Sequence, residues 1–305
     1  MGLRIAVLIP CFNEEQTIGK VIDDFKAQLP DAQIYVYDNN STDKTAALAV
    51  EHGAMLRRET RQGKGYVVRT MFRDVDADVY VMVDGDDTYP AEAVHDLIGC
   101  ITAGSADMVV GNRLMGGTYA KENKRAFHTA GNNIVRKLIN FLFNASIDDV
   151  TSGYRAFGKS FVKNVPINSP GFEIETEMTL QALDKKYLIR ELPVAYRDRP
   201  AGSSSKLNTY KDGSKVLATI IRIFKDYRPM MFFGYLSILL CAVGLAIGLP
   251  VVAEYERTGL VPRLPSAVLA AVFEILSAIS LTCGLMLQSI ARHFQELYQL
   301  ITTER

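Results

Sequence analysis

Apolar residues in the first part of the chain come in short runs separated by longer amphipathic stretches. Runs at Ile5–Ile9, Ile34–Tyr37, Ala54–Leu56, Val79–Val83 and Met108–Val110 have the length and composition of buried strands. The stretches Glu14–Leu29, Lys44–His52, Gly65–Val75 and Ala91–Thr102 predict helices between them. Asn13, with Gln16 three residues on, predicts a capping box at the start of the first helix. Strict alternation of the two kinds of element predicts an α/β domain built on a mostly parallel, doubly wound sheet. Ligands of such sheets bind beyond the carboxyl ends of the strands, where the strand order reverses.

The pattern changes near residue 229. Pro229 to Ala253 carries no charge, and Pro265 to Ile290 carries only Glu274. At about 1.5 Å per helical residue each run is long enough to cross a hydrocarbon layer roughly 30 Å thick. Two transmembrane helices joined by a short loop, EYERTGLVPR, are expected over 229–290, with a tail at 291–305. Six basic residues lie between Ser205 and Arg228 and two in the loop, Arg257 and Arg263. The positive-inside rule therefore puts residues 1–228, and both termini, in the cytoplasm. Within 207–228, Val216, Leu217, Ile220, Ile221 and Phe224 recur at helical spacing beside Lys215, Arg222 and Lys225. That spacing predicts an amphipathic juxtamembrane helix in the headgroup region, and a core-facing helix fits it as well. Glu274 is expected to face a partner helix, another subunit or the bundle interior. Gly244, Gly248, Ala267, Ala270 and Ala271 predict close helix packing, within one chain or in a homo-oligomer.

Composition narrows the function. Lys plus Arg equals Asp plus Glu at 34 each among 305 residues, which gives no support to nucleic-acid binding. Cys11, Cys100, Cys241 and Cys283 have neither metal-ligand nor disulfide spacing and read as reduced. The apolar run at the amino terminus is too short for a signal peptide, and Ala6 breaks the myristoylation pattern. His52, His95, His128 and His293 form no recognisable nucleophilic arrangement.

Three polar motifs follow strands: "PCFNEE", "DNNSTDKT" and "DGDDTYP". With no GxGxxG and no GxxxxGK[ST], neither usual phosphate cradle is present. Carboxylates crowded at a strand end instead suit Mg²⁺ or Mn²⁺, which would relieve their repulsion and bridge them to a diphosphate. A solvated acidic turn, with Asp87 capping the next helix, is the competing reading.

"IPCFNEE", "YDNNSTDKT", "RQGKG" and "VDGDDTYP", in this order, resemble family-2 glycosyltransferases, and among them the dolichyl-phosphate mannose synthase and polyprenyl-phosphate glycosyltransferase branch. The resemblance covers about residues 4–212 and extends to the paired carboxy-terminal spans. It implies a GT-A catalytic domain at 1–206 that binds a nucleotide-sugar donor and a polyprenyl-phosphate acceptor. It implies donor contacts from Pro10, Asn13, Glu14, Asp38, Lys64 and Asp84, and metal ligation by Asp84, Asp86 and Thr88. "GNRL" and "KRAFHTAGN" resemble the stretch that holds the acceptor phosphate, which implies that role for Arg113, Arg125 and Thr129. Guanidinium groups suit it because they bind phosphate bidentately. "DVTSGYRAF" resembles an acceptor-side motif, and "DRPAGSSSKLNTY" a loop whose Arg199 and Lys206 close over the donor, with one residue more than the commoner pattern.

The catalytic set so implied is Asp86, Arg113 and Arg125, in an inverting, metal-dependent transfer of one sugar. The implied location is the plasma or inner membrane of a prokaryote. Glu173, Glu175 and Glu177 of "GFEIETEM" would contact sugar hydroxyls, form a solvated helix face, or pair with a nearby arginine. Alternatives are a family-2 enzyme acting on a growing cell-envelope glycan or glycolipid, and a non-catalytic membrane partner subunit.

Overall fold

The computed structural model describes residues 2–115, 126–171, 173–197 and 221–303. The chain divides into two compact units, Met1–Asp212 and Gly213–Arg305.

The first unit is a seven-stranded mixed sheet with helices on both faces. In chain order it comprises β1 (Ile5–Cys11), α1 (Ile18–Gln28), β2 (Gln33–Asp38), α2 (Thr45–Glu51), β3 (Met55–Arg58), α3 (Lys64–Asp74) and β4 (Val79–Met82). There follow α4 (Val94–Thr102), β5 (Met108–Asn112), α5 (Ala126–Phe143), β6 (Arg155–Gly158), α6 (Lys159–Asn164), α7 (Ile174–Asp184) and β7 (Ile189–Pro193). Strand order is β3-β2-β1-β4-β6-β5-β7. The five strands expected from the apolar runs all form, each within a few residues of its expected bounds. β6 runs antiparallel to both its neighbours, pairing Met82 with Arg155 and Val110 with Arg155. Its amino-terminal end therefore lies at the same rim as the carboxyl ends of β4 and β5.

Each face has its own core. Val7, Ile9, Val36, Val79, Val81 and Ala156 point one way, against Ile18, Ile22 and Phe25 of α1 and Val94, Leu97 and Ile98 of α4. Leu8, Tyr37, Tyr80, Met82, Met108 and Phe157 point the other, against α3, α6 and α7. Alternate strand residues thus serve opposite layers, as a sheet covered on both sides requires.

The expected capping box does not form. Helix α1 begins at Ile18, and Thr17 at its N-cap position makes no side-chain cap. Asn13 sits at φ 54° and its Oδ1 accepts a bond from the Thr42 N–H at 2.8 Å instead. The short polar side chain tolerates the left-handed conformation and joins two loops rather than ending a helix. Asp87 is not a cap either. It lies at φ 56° and pairs with Lys20 at 2.7 Å.

The second unit holds two helices long and apolar enough to cross a membrane, α8 (Pro229–Thr258) and α9 (Leu264–Thr303). Both overrun the expected spans. α9 carries helix through most of the expected tail, and α8 begins with Pro229, a residue suited to a first helical position. The expected juxtamembrane helix falls largely outside the described residues, of which 221–227 are helical. Ser237 and Ser277 hydroxyls meet at 3.0 Å between α8 and α9, and Ser280 Oγ donates to the Phe233 carbonyl at 2.9 Å. A Cβ on Gly244 would lie 2.5 Å from Glu274 Oε1, and one on Gly248 would lie 3.3 Å from Ala270 Cβ. Glu274 therefore faces the partner helix of its own chain, and much of the small-residue stripe is used in that contact.

Candidate active site

The three polar motifs meet at the rim, as their places after β1, β2 and β4 predict. The β1–α1 and β2–α2 loops are laced together: the Asn13 N–H donates to Ser41 Oγ at 2.9 Å and the Glu14 N–H to Thr45 Oγ1 at 2.8 Å. Asp38 is buried, accepting from the Ser41 N–H at 3.1 Å and from Arg58 Nε at 3.4 Å. Thr17 Oγ1 donates to the Gly85 carbonyl at 2.6 Å and so ties α1 to the acidic loop. The thiol of Cys11 lies under the whole group. Burial first, then the charges of Glu14, Asp38, Asp84 and Asp86, push its pKa well above the ordinary 9.0.

Asp86 is 3% exposed, and its Oδ1 accepts from both Thr88 Oγ1 (2.6 Å) and the Thr88 N–H (3.3 Å). Thr88 thus fixes the carboxylate's rotamer beside the place where it would itself ligate. Asp84 meets Lys64: Nζ lies 2.5 Å from Asp84 Oδ1 and 2.5 Å from Glu175 Oε1. Burial opposes the charge on Lys64, but the two carboxylates outweigh it and raise its pKa above the ordinary 10.5.

The "GKG" sequence explains how this lysine is placed. A Cβ at Gly63 or Gly65 would overlap the carbonyl oxygens of Pro170 and Ser169, respectively, and the Gly65 N–H donates to the Pro170 carbonyl at 3.1 Å. Only glycine admits so close an approach. Glu177 pins the other side of that loop, accepting from the N–H groups of Asn168 (3.0 Å) and Ser169 (2.7 Å).

Opposite lies the turn that leads into β6. A Cβ on Gly153 would overlap the Asp84 carboxylate, and the Gly153 N–H donates to Tyr89 Oη at 3.1 Å. Arg113, just past β5, donates from Nε and Nη2 to Asp149 at 2.8 Å each and from Nη2 to Thr151 Oγ1 at 2.9 Å. Burial of Asp149 would raise its pKa, but the Arg113 bonds outweigh that and hold it below the ordinary 3.8. The Nε–Nη2 edge of Arg113 is thus committed, and a bidentate phosphate contact does not use it.

Arg155, at 0% exposure, bonds neutral groups among the described residues: the Ser152 carbonyl at 2.9 Å, the Val150 carbonyl at 2.7 Å and Thr179 Oγ1 at 3.0 Å, with Met108 Sδ at 3.5 Å. It shapes the 150–152 turn from below. Arg125, Arg199 and Lys206 lie outside the described residues, and at Thr129, on α5, only the backbone is described.

The sequence reading offered Glu175 and Glu177 as sugar contacts, a solvated helix face or partners of an arginine, and Asp149 and Gly153 as part of "DVTSGYRAF"; Tyr89 it left without a role. The partners themselves are distant in the chain, so no local spacing announces them: Lys64 for Glu175, Arg113 for Asp149 and Asp84 for Gly153. Among the described residues, no three of His, Cys, Asp and Glu are arranged to hold a metal. Asp84 and Asp86 offer carboxylate oxygens, the donors a hard divalent cation takes, and such a cation would need its remaining ligands from a bound phosphate or water.

Residues 6–165 match the model of glycosyl transferase family 2. The chain belongs to that family and is a glycosyltransferase, which sets aside the non-catalytic alternative. It is similar to glycosyltransferase AglJ of Haloferax volcanii, 32% identical over 255 residues that span 82% of each chain. It is also similar to a dolichyl-phosphate hexose transferase of the same organism, 29% identical over 73% of this chain and 95% of the relative. Such relatives support the polyprenyl-phosphate branch. Among solved structures, glucosyl-3-phosphoglycerate synthase from Mycobacterium tuberculosis, in complex with Mn²⁺, UDP-glucose and phosphoglyceric acid, superposes with a TM-score of 0.57. That match has 23% identity and covers 73% of this chain and 79% of that one. At such identity the likeness concerns the fold, which is GT-A.

Proposed function

We propose that this glycosyltransferase moves one sugar from a nucleoside diphosphate sugar to the phosphate of a polyprenyl phosphate, with inversion at the anomeric carbon. The observation that carries the reading is the arrangement of Asp38, Asp84, Asp86 and Lys64 at one rim, facing the turn that holds Arg113. Asp38 and the laced loops around Asn13 and Glu14 form the floor for the nucleoside, with Pro10 at the end of β1. Asp84 and Asp86, with Thr88, would hold Mg²⁺ or Mn²⁺, which would supply electrophilic stabilisation of the leaving diphosphate. Lys64 adds a fixed positive charge beside it.

No general base is needed on the acceptor side. A phosphate monoester with a second pKa near 6 is already an anion at pH 7, so the enzyme's task is to align it. Arg113, braced by Asp149 and Thr151, supplies charge there, with Arg125 and Thr129 as companions. Arg199 and Lys206 complete the donor side.

The acceptor assignment rests on the relatives named for dolichyl phosphate and on α8 and α9. Anchoring residues 1–206 to a membrane through 207–228 and the two spans raises their effective concentration at a lipid phosphate. The basic residues before α8 favour a cytoplasmic catalytic domain, in the plasma or inner membrane of a prokaryote.

Membranes bearing the protein, given radiolabelled UDP- and GDP-sugars with Mg²⁺ or Mn²⁺, should form a lipid product labile to mild acid. Transfer only to oligosaccharide acceptors, with none to polyprenyl phosphate, would overturn the acceptor assignment.

A further inference from the structure

We infer that Glu175 is a positioning residue that holds Lys64 in reserve, so that Asp84 stays open to a divalent cation; this rests on the metal-dependent reading above. Lys64 is 11% exposed and Glu175 6% exposed, so their contact is shielded from water. The same ammonium touches Asp84 at the same distance, 2.5 Å.

Paired with Asp84 alone, Lys64 would neutralise it, and an incoming cation would have to strip a buried ammonium of its only counter-charge. Breaking such a pair is strongly unfavourable. Glu175 changes that balance. Two carboxylates around one ammonium leave a net negative charge, and Lys64 keeps a partner when Asp84 turns to another cation.

The local structure is built for this sharing. Glu175 lies in the first turn of α7, where the helix dipole favours a carboxylate. Lys64 opens α3, where the dipole opposes an ammonium, so its charge depends on the two acids. Gly63 and Gly65 admit the 169–170 carbonyls, and Glu177 fixes that loop from the far side. These contacts bring the start of α7 to the start of α3.

Mn²⁺ binding to the purified full-length protein tests the inference, read by electron paramagnetic resonance in the presence of UDP and, separately, GDP. Glu175→Gln should weaken Mn²⁺ binding about tenfold and raise the donor KM more than it lowers kcat. Glu175→Asp should recover part of the affinity. In a Lys64→Met background the Glu175→Gln effect should largely vanish, because the glutamate acts through the lysine. Wild-type Mn²⁺ affinity in Glu175→Gln, with only thermal stability reduced, would make the residue purely structural and overturn the inference. An undiminished effect in the Lys64→Met background would overturn it too. If the unaltered protein binds no Mn²⁺, the metal reading of the site falls, and this inference with it.

Discussion

The Arg113 guanidinium and the Asp149 carboxylate face each other through two bonds of 2.8 Å, at the point where the β5 end meets the turn before β6. Asp149 is 3% exposed, so the pair has little water to replace either partner. Asp149→Ala should therefore cost about 3 kcal/mol of stability in denaturant unfolding, and should raise the acceptor KM. The pH dependence follows from the same pair. Because the folded pKa of Asp149 is depressed, its contribution is complete above the ordinary carboxylate value and is lost as pH falls through the folded value. Asp149→Asn should flatten the acid limb of the stability profile; an unchanged limb would contradict the assignment.

Gly153→Ala is a second test. Its new methyl group would overlap the Asp84 carboxylate, which Lys64 holds in place. If that carboxylate takes part in the reaction as proposed, displacing it by about 1 Å costs on the order of 100-fold in turnover. The measured kcat should fall by that factor while the unfolding midpoint stays near wild type, since no core contact is lost.

Glu59 offers a pH test away from the chemistry. Bonds from Arg61 first, against burial, and then from Thr70, lower its pKa from 4.5 to about 2. A depressed carboxylate stabilises the fold fully above its unfolded value and progressively less as pH drops from 4.5 toward 2. The stability gap between wild type and Glu59→Gln should be widest above pH 5 and should close as acid is added. A gap that is constant across that range would show that the carboxylate is not the source.

Gly244→Leu probes the helical unit. A side chain there meets Glu274 and Phe273, and overpacking of this kind costs about 2 kcal/mol. Disulfide formation between Ser237→Cys and Ser277→Cys, with Cys241 and Cys283 replaced, should slow in the Gly244→Leu background. Equal rates would mean the helices do not depend on that approach.

The β1–β4 side of the rim was legible because each element there announces itself locally. β1, β2 and β4 are largely apolar runs, with Asp38 closing β2 and Asp84 and Asp86 just after β4. The other half was not. β6 is four residues of ordinary composition whose direction depends on pairing with β4 and β5, which no periodicity encodes. The pairing of Lys64 with Glu175 joins helices far apart in the chain. Asn13 looked like a cap from its spacing to Gln16, but its Oδ1 went to the Thr42 N–H across the rim. Glu274 was legible as a residue facing a partner helix; that the helix is α8, meeting it at Gly244, was not.

One backward strand changes what variation can do to this enzyme. Had β6 run with the others, its leading turn would sit on the far side of the sheet and could vary without reaching the acidic loop after β4. As built, that turn rests on the loop: a side chain at Gly153 would meet the Asp84 carboxylate, so a substitution in one is felt in the other.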